Sequence, residues 1–134
     1  MAVVTLLGLG LAVGSLLVGV DVAGAANGPP PVIVHNPPSK RLAVGASFTF
    51  RASATGASTV VWVVRSPDGS SFHTYSGTNT TTKRGVLKSS FTFGPFQASE
   101  SGWEVGAAFI NDPTGVPSGI QESDTVPAIV TLKG

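Results

Sequence analysis

From residue 47 to residue 55 the chain alternates. Phe48, Phe50, Ala52 and Ala54 are separated by Thr49, Arg51 and Ser53. In an extended segment this order puts the apolar side chains on one face and the polar ones on the other. The same period predicts strands at 59–65, with Val60, Trp62 and Val64 inward, and at 86–93, 103–110 and 126–132. An edge strand is expected at 32–34, broken by Pro37-Pro38 and resumed at 41–44, as in an edge strand that switches sheets. Ser66-Pro67-Asp68-Gly69 is a strong turn signal, followed by a short strand through Phe72-His73-Thr74-Tyr75. Residues 76–85 read as a polar loop and 111–124 as a long Pro/Gly loop. Beyond the N-terminal segment no stretch has a helical period. About seven short strands joined by turns predict an all-β, two-sheet sandwich.

One stretch is more specific. Phe91, Phe93 and Phe96 lead through Gly94-Pro95 into Glu100-Ser101-Gly102 and then Trp103. Two alternating aromatics make a half-buried strand, a Gly-Pro break stops it, and a third aromatic pins the corner that follows. This resembles the E strand, E–F corner and F strand of immunoglobulin-like domains, with Glu100-Ser101-Gly102 at the Asp-Ser-Gly site. Trp62 stands where those domains place their buried strand-C tryptophan. The run Gly102-Trp103-Glu104-Val105-Gly106-Ala107 is similar to single I-set-like modules of exported bacterial proteins. The resemblance covers 32–132 and implies a Greek-key sandwich. It also implies that Ala52 and Ala107 stand at or next to the sites of the inter-sheet disulfide of antibody domains. The tyrosine corner of that family is missing, its place taken by Glu104 or Val105.

Residues 2–20 are apolar or small and uncharged, and Val22-Ala23-Gly24-Ala25-Ala26 follows Asp21. That order predicts a signal peptide over 1–26, cleaved within 23–26. The run is also long enough to span a bilayer, so a retained membrane anchor is the other reading. Any contact with membrane is expected through 1–26 alone, if it stays uncleaved. Residues 27–31 are a Pro-rich linker and 32–134 the domain. Without 1–26, roughly 105 residues remain, enough for one domain with a modest core. Losing Asp21 moves the formal net charge from +1 to about +2, too little to suggest a nucleic-acid partner. The chain has no cysteine, so apolar packing must do what disulfides do in many small exported domains.

Candidate chemistry is sparse. His35 and His73 have no partner at metal-ligand spacing, and HExxH, GxSxG, SxxK and a phosphate-binding glycine loop are all missing from the sequence. No enzymatic activity, cofactor or metal is expected. Asn111, Asp112, Glu122 and Asp124 make a candidate binding loop; its carboxylates could take a calcium ion, and a solvated polar loop is the plainer alternative. Lys83, Arg84 and Lys88 read as a solvated loop tip.

The outward residues of strands C, F and G depart from the polar pattern. They include Val61, Val63, Ala108, Ile110 and Ile129, an apolar stripe where water is expected. This stripe is a candidate binding face, and the resemblance adds that variable-type domains pair through the same sheet. The resulting expectation is a secreted or cell-envelope binding module that contacts a protein or a glycan. The alternative is a self-associating adhesion protein that forms a homodimer through the outer C–F–G face.

Overall fold

The computed structural model describes residues 29–112 and 120–134. The expected signal or anchor, and the Pro/Gly centre of the 111–124 loop, lie outside the described residues. Ten strands follow in order: β1 (Val32–His35), β2 (Lys40–Ala43), β3 (Phe48–Thr55), β4 (Thr59–Arg65), β5 (Phe72–Tyr75), β6 (Thr78–Thr81), β7 (Val86–Phe93), β8 (Glu104–Asn111), β9 (Gln121–Asp124) and β10 (Ala128–Lys133). One sheet has the order β1-β3-β7-β6. The other has the order β2-β10-β8-β4-β5, with β9 also paired to β8. The edge segment does switch sheets at Pro37-Pro38: β1 pairs with β3, while β2 runs parallel to β10 in the other sheet.

The alternating residues meet between the sheets. Phe50, Ala52, Ala54, Val60, Trp62, Val64, Phe91, Phe96, Val105, Ala107, Phe109 and Val130 form one buried cluster. Trp62 is fully buried, which requires a partner for its indole N–H. Its Nε1 donates to Ser89 Oγ at 2.8 Å, and Ser89 Oγ donates to Asn79 Oδ1 at 2.6 Å. Its ring stacks on Phe91 with centroids 5.5 Å apart. Gly77 lies against the same indole: a Cβ there would sit 2.6 Å from Trp62 Nε1 and from the Ser90 carbonyl. Ala52 and Ala107 both face this core.

The corner motif has a direct physical account. Glu100 Oε1 accepts from the Gln97 amide at 2.7 Å. Ser101 Oγ accepts from the Leu132 amide at 2.9 Å, and the Gly102 amide donates to the Val130 carbonyl at 2.7 Å. The corner is thus tied to β10 by a hydroxyl and a backbone amide. Phe96 is clamped from both sides, donating its amide to the Ala46 carbonyl and accepting from the Gly45 amide. In the turn before β5, Asp68 accepts from the Ser70 amide and hydroxyl and from the Ser66 hydroxyl. Those bonds, the Ser70 amide foremost, hold its carboxyl down at about 2.

Three expectations need correction. Residues 78–81 form strand β6, although 76–85 reads as a loop. Threonines at an edge give no apolar alternation to read. Residues 121–124 form strand β9, so Glu122 and Asp124 belong to a sheet and not to a loop. Val126 is 67% exposed, although alternation through 126–132 points it inward. The reason is a bulge. Ala108 pairs with Asp124 and Val105 with Ala128, so residues 125–127 oppose only 106–107. At the bulge Thr125 Oγ1 accepts from the Ala107 amide at 3.0 Å, and the Thr125 amide donates to the Ala107 carbonyl at 2.9 Å. Pro127, which has no amide to offer, fits the irregularity and lies against Gly106.

Candidate binding site

The outer face of the β10-β8-β4-β5 sheet carries the expected stripe in the expected register. Val61 pairs with Ala108, Val63 with Gly106, Thr59 with Ile110 and Glu104 with Ile129. Burial divides it, however. Val63 and Ala108 are 1% and 0% exposed, Val61 and Ile110 are half-buried, and Ile129 is 49% exposed. These five residues therefore share a face without sharing an environment.

The loop residues also separate. Asn111 closes β8, and its Nδ2 donates to the Pro29 carbonyl at 3.1 Å. The Asp112 amide donates to Ser58 Oγ at 3.2 Å. Glu122 and Asp124 stand two apart on β9, opposite Ile110 and Ala108, and so on the same outer face. Glu122 is buried, and its carboxyl lies beside that of Asp124, with which it is hydrogen-bonded. Burial pushes the Asp124 carboxyl up to about 9, and the adjacent Glu122 carboxyl adds to the shift. No group of three or more metal-ligating side chains occurs among the described residues.

The other outer face was not singled out by the sequence, and it holds a cleft. Two rows of paired residues cross the β1-β3-β7-β6 sheet. One runs His35, Ser53, Lys88, Thr80; the other runs Arg51, Ser90, Thr78. They line a cleft of about 420 Å³. No acid and no Phe, Tyr or Trp side chain lines it. Among the described residues, neither Arg51, Lys88 nor His35 forms an ion pair with a carboxylate. Ser53 lies at the centre, 4% exposed, and its Oγ has no hydrogen-bond partner. An unmade bond at a buried hydroxyl costs about 1–3 kcal/mol, so a group that bonds Ser53 at the floor of the cleft would be favoured.

His35 reaches this cleft only through a backbone irregularity. The register of β1 against β3 shifts between Ile33 and His35, so that Ile33 opposes Ala54 and His35 opposes Ser53. Uninterrupted alternation would put His35 inward. Such bulges re-aim side chains beside binding sites. Lys88 was grouped with Lys83 and Arg84 at a loop tip; it sits mid-strand in β7, two residues from Ser90. The signal available in the sequence was the outward set Arg51, Ser53, Lys88 and Ser90, hydroxyl and cationic with no carboxylate. The contributions of β6 and of the β1 bulge left no such trace.

No family model and no curated protein matches the chain. Solved structures do match its fold. The N-terminal Ig1-2 module of the Drosophila receptor protein tyrosine phosphatase DLAR matches with a TM-score of 0.51 at 17% identity, over 78% of this chain and 50% of that one. This chain is immunoglobulin-like in fold. It spans half the length of the DLAR module. Tandem Ig repeats of Dlar (TM-score 0.48, 18% identity, 78% and 47% of the two chains) and titin domains I67–I69 in an E-to-A mutated variant (0.48, 16%, 77% and 32%) also match.

Proposed function

We propose that the chain is an exported, non-catalytic immunoglobulin-like binding module of the cell envelope. Its working surface is the cleft on the β1-β3-β7-β6 face. The observation that carries this reading is the set of three basic side chains without acidic partners around the unpartnered, buried Ser53 hydroxyl. Charges left without partners contribute nothing to a fold and are available to a ligand. Export and an envelope location rest on the apolar run and small-residue site at 1–26. The test is amide chemical-shift mapping of the ¹⁵N-labelled full chain against the protein and polysaccharide fractions of a cell envelope. Shifts concentrated at Arg51, Ser53, Lys88 and Ser90 are expected. Shifts confined to β4, β8 and β10 would move the working surface to the other face.

A second reading is favoured by one row of that other face. Phe72, Arg65, Glu104 and Ile129 align across β5, β4, β8 and β10. Arg65 Nη2 and Glu104 Oε1 are 2.7 Å apart, and exposed Phe72 and Ile129 flank the ion pair. A homodimer through this row predicts sedimentation that changes with concentration. Ile129→Lys should return the chain to a monomer while leaving its unfolding free energy within about 0.5 kcal/mol of wild type. Sedimentation independent of concentration in the wild type removes this reading.

A further inference from the structure

We infer that the cleft on the β1-β3-β7-β6 face takes an acidic saccharide, a short run of sugar units carrying carboxylate or sulfate groups. This deepens the binding-module reading and rests on it. Three features select the ligand class. The two permanent charges, Arg51 and Lys88, lie diagonally across neighbouring strands. That geometry sets their Cα atoms roughly 7–8 Å apart, a spacing suited to anionic groups distributed along a ligand. Between and beside them the lining is hydroxyl: Ser53, Ser90, Thr78 and Thr80. A hydroxyl both donates and accepts, so this surface matches the hydroxyls of a sugar ring, which do the same. His35 adds a ring nitrogen at the far end of the Ser53 row.

The same features disfavour other ligands. A volume of about 420 Å³ falls within the range of small-molecule sites and is far more than one tetrahedral oxyanion fills. Single-stranded nucleic acids stack successive bases on several aromatic side chains, and no Phe, Tyr or Trp lines the cleft. Peptides that add to a sheet need a strand edge and apolar pockets. Here the lining lies across the face of the sheet, and its one apolar residue, Ala52, turns its side chain to the core. Neutral sugars would leave Arg51 and Lys88 unpaired, whereas an anionic group gives each a charge-assisted bond.

The test is titration calorimetry of the full chain with four probes: tetragalacturonate, a κ-carrageenan tetrasaccharide, neutral cellotetraose and inorganic sulfate. Binding of at least one acidic tetrasaccharide is expected, with cellotetraose and sulfate each weaker by about tenfold or more. The uronate and the sulfated sugar separate carboxylate from sulfate recognition. Arg51→Gln and Lys88→Gln should each weaken the acidic sugar by about tenfold, and Ser53→Ala by a smaller factor. Both cations are exposed, so unchanged circular dichroism is expected for their variants. Equal binding of cellotetraose, sulfate as tight as the tetrasaccharides, or acidic-sugar binding untouched by both charge variants would each overturn the inference. If no saccharide binds while an envelope protein fraction shifts the Arg51, Ser53 and Lys88 amides, the ligand class is wrong and the module reading stands. If neither fraction shifts them, both readings fall.

Discussion

The two outer faces of the sandwich answer the same alternation in opposite ways. On the β10-β8-β4-β5 side, Val63 and Ala108 point away from the intersheet core and are nevertheless buried, and so is Glu122. On the β1-β3-β7-β6 side, Arg51, Lys88, Thr78 and Thr80 point outward and are exposed, around a single buried hydroxyl. The period of two tells which face a residue takes. It does not tell what lies on that face. One outer surface behaves energetically as a second, smaller interior. The other holds cations with no carboxylate partner among the described residues.

The largest effects should separate interior from surface on both sides. Trp62→Ala removes the central side chain and leaves Ser89 Oγ without its donor; a loss of about 3–5 kcal/mol in a urea melt is expected. Val63→Lys tests the outer interior. A charge forced into a fully buried site should cost at least about 3 kcal/mol. Thr92→Lys, an equivalent outward position on β7, should stay within about 0.5 kcal/mol. Equal costs for the two lysines would erase the difference between the faces.

A medium effect concerns pH. Asp124 keeps its proton in the folded state up to about 9, whereas an unfolded aspartic acid releases it near about 4. Between those values the folded chain binds more protons than the unfolded one. Stability therefore falls as pH rises through that window, by at most about 1.4 kcal/mol per pH unit from this group. Denaturant melts from pH 5 to pH 8 should show the decline, and Asp124→Asn should flatten it. A slope that persists in Asp124→Asn assigns the proton to another group.

Much of the frame was legible because strong signals coincide. β4 and β7 match the residues that alternation marks, 59–65 and 86–93, and β5 matches the segment after the Asp68 turn. Phe91, Phe96 and Trp62 take the core places that the immunoglobulin resemblance implies. Two of the misses share a cause. Where the backbone departs from regular pairing, alternation counts the wrong residue. The bulge at 125–127 exposes Val126, and the bulge at Ile33–His35 turns His35 out to Ser53. A second cause is weak local signal: β6 pairs through Thr78, Asn79, Thr80 and Thr81, and none of these side chains is apolar. The cleft needed both the bulge and the weak strand, so its residues were scattered among elements that looked unrelated.

The smallest predicted effect is the most telling for the polar face. Arg51 and Lys88 are like charges on diagonal positions, and no carboxylate pairs with either among the described residues. Like charges placed so repel weakly, by a few tenths of a kcal/mol at cross-strand distances. Removing one should therefore raise stability slightly. Lys88→Gln is expected to gain about 0.2–0.5 kcal/mol in urea melts at 10 mM salt, and to lose that gain at 1 M, where the screening length is near 3 Å. A binding surface held at a small cost to the fold behaves this way; a surface that serves stability does not. If Lys88→Gln instead loses stability at low salt and the loss fades at high salt, Lys88 has an attractive partner within the chain. The polar face would then be satisfied from inside, as the apolar face is, and the contrast between the two would be one of composition alone.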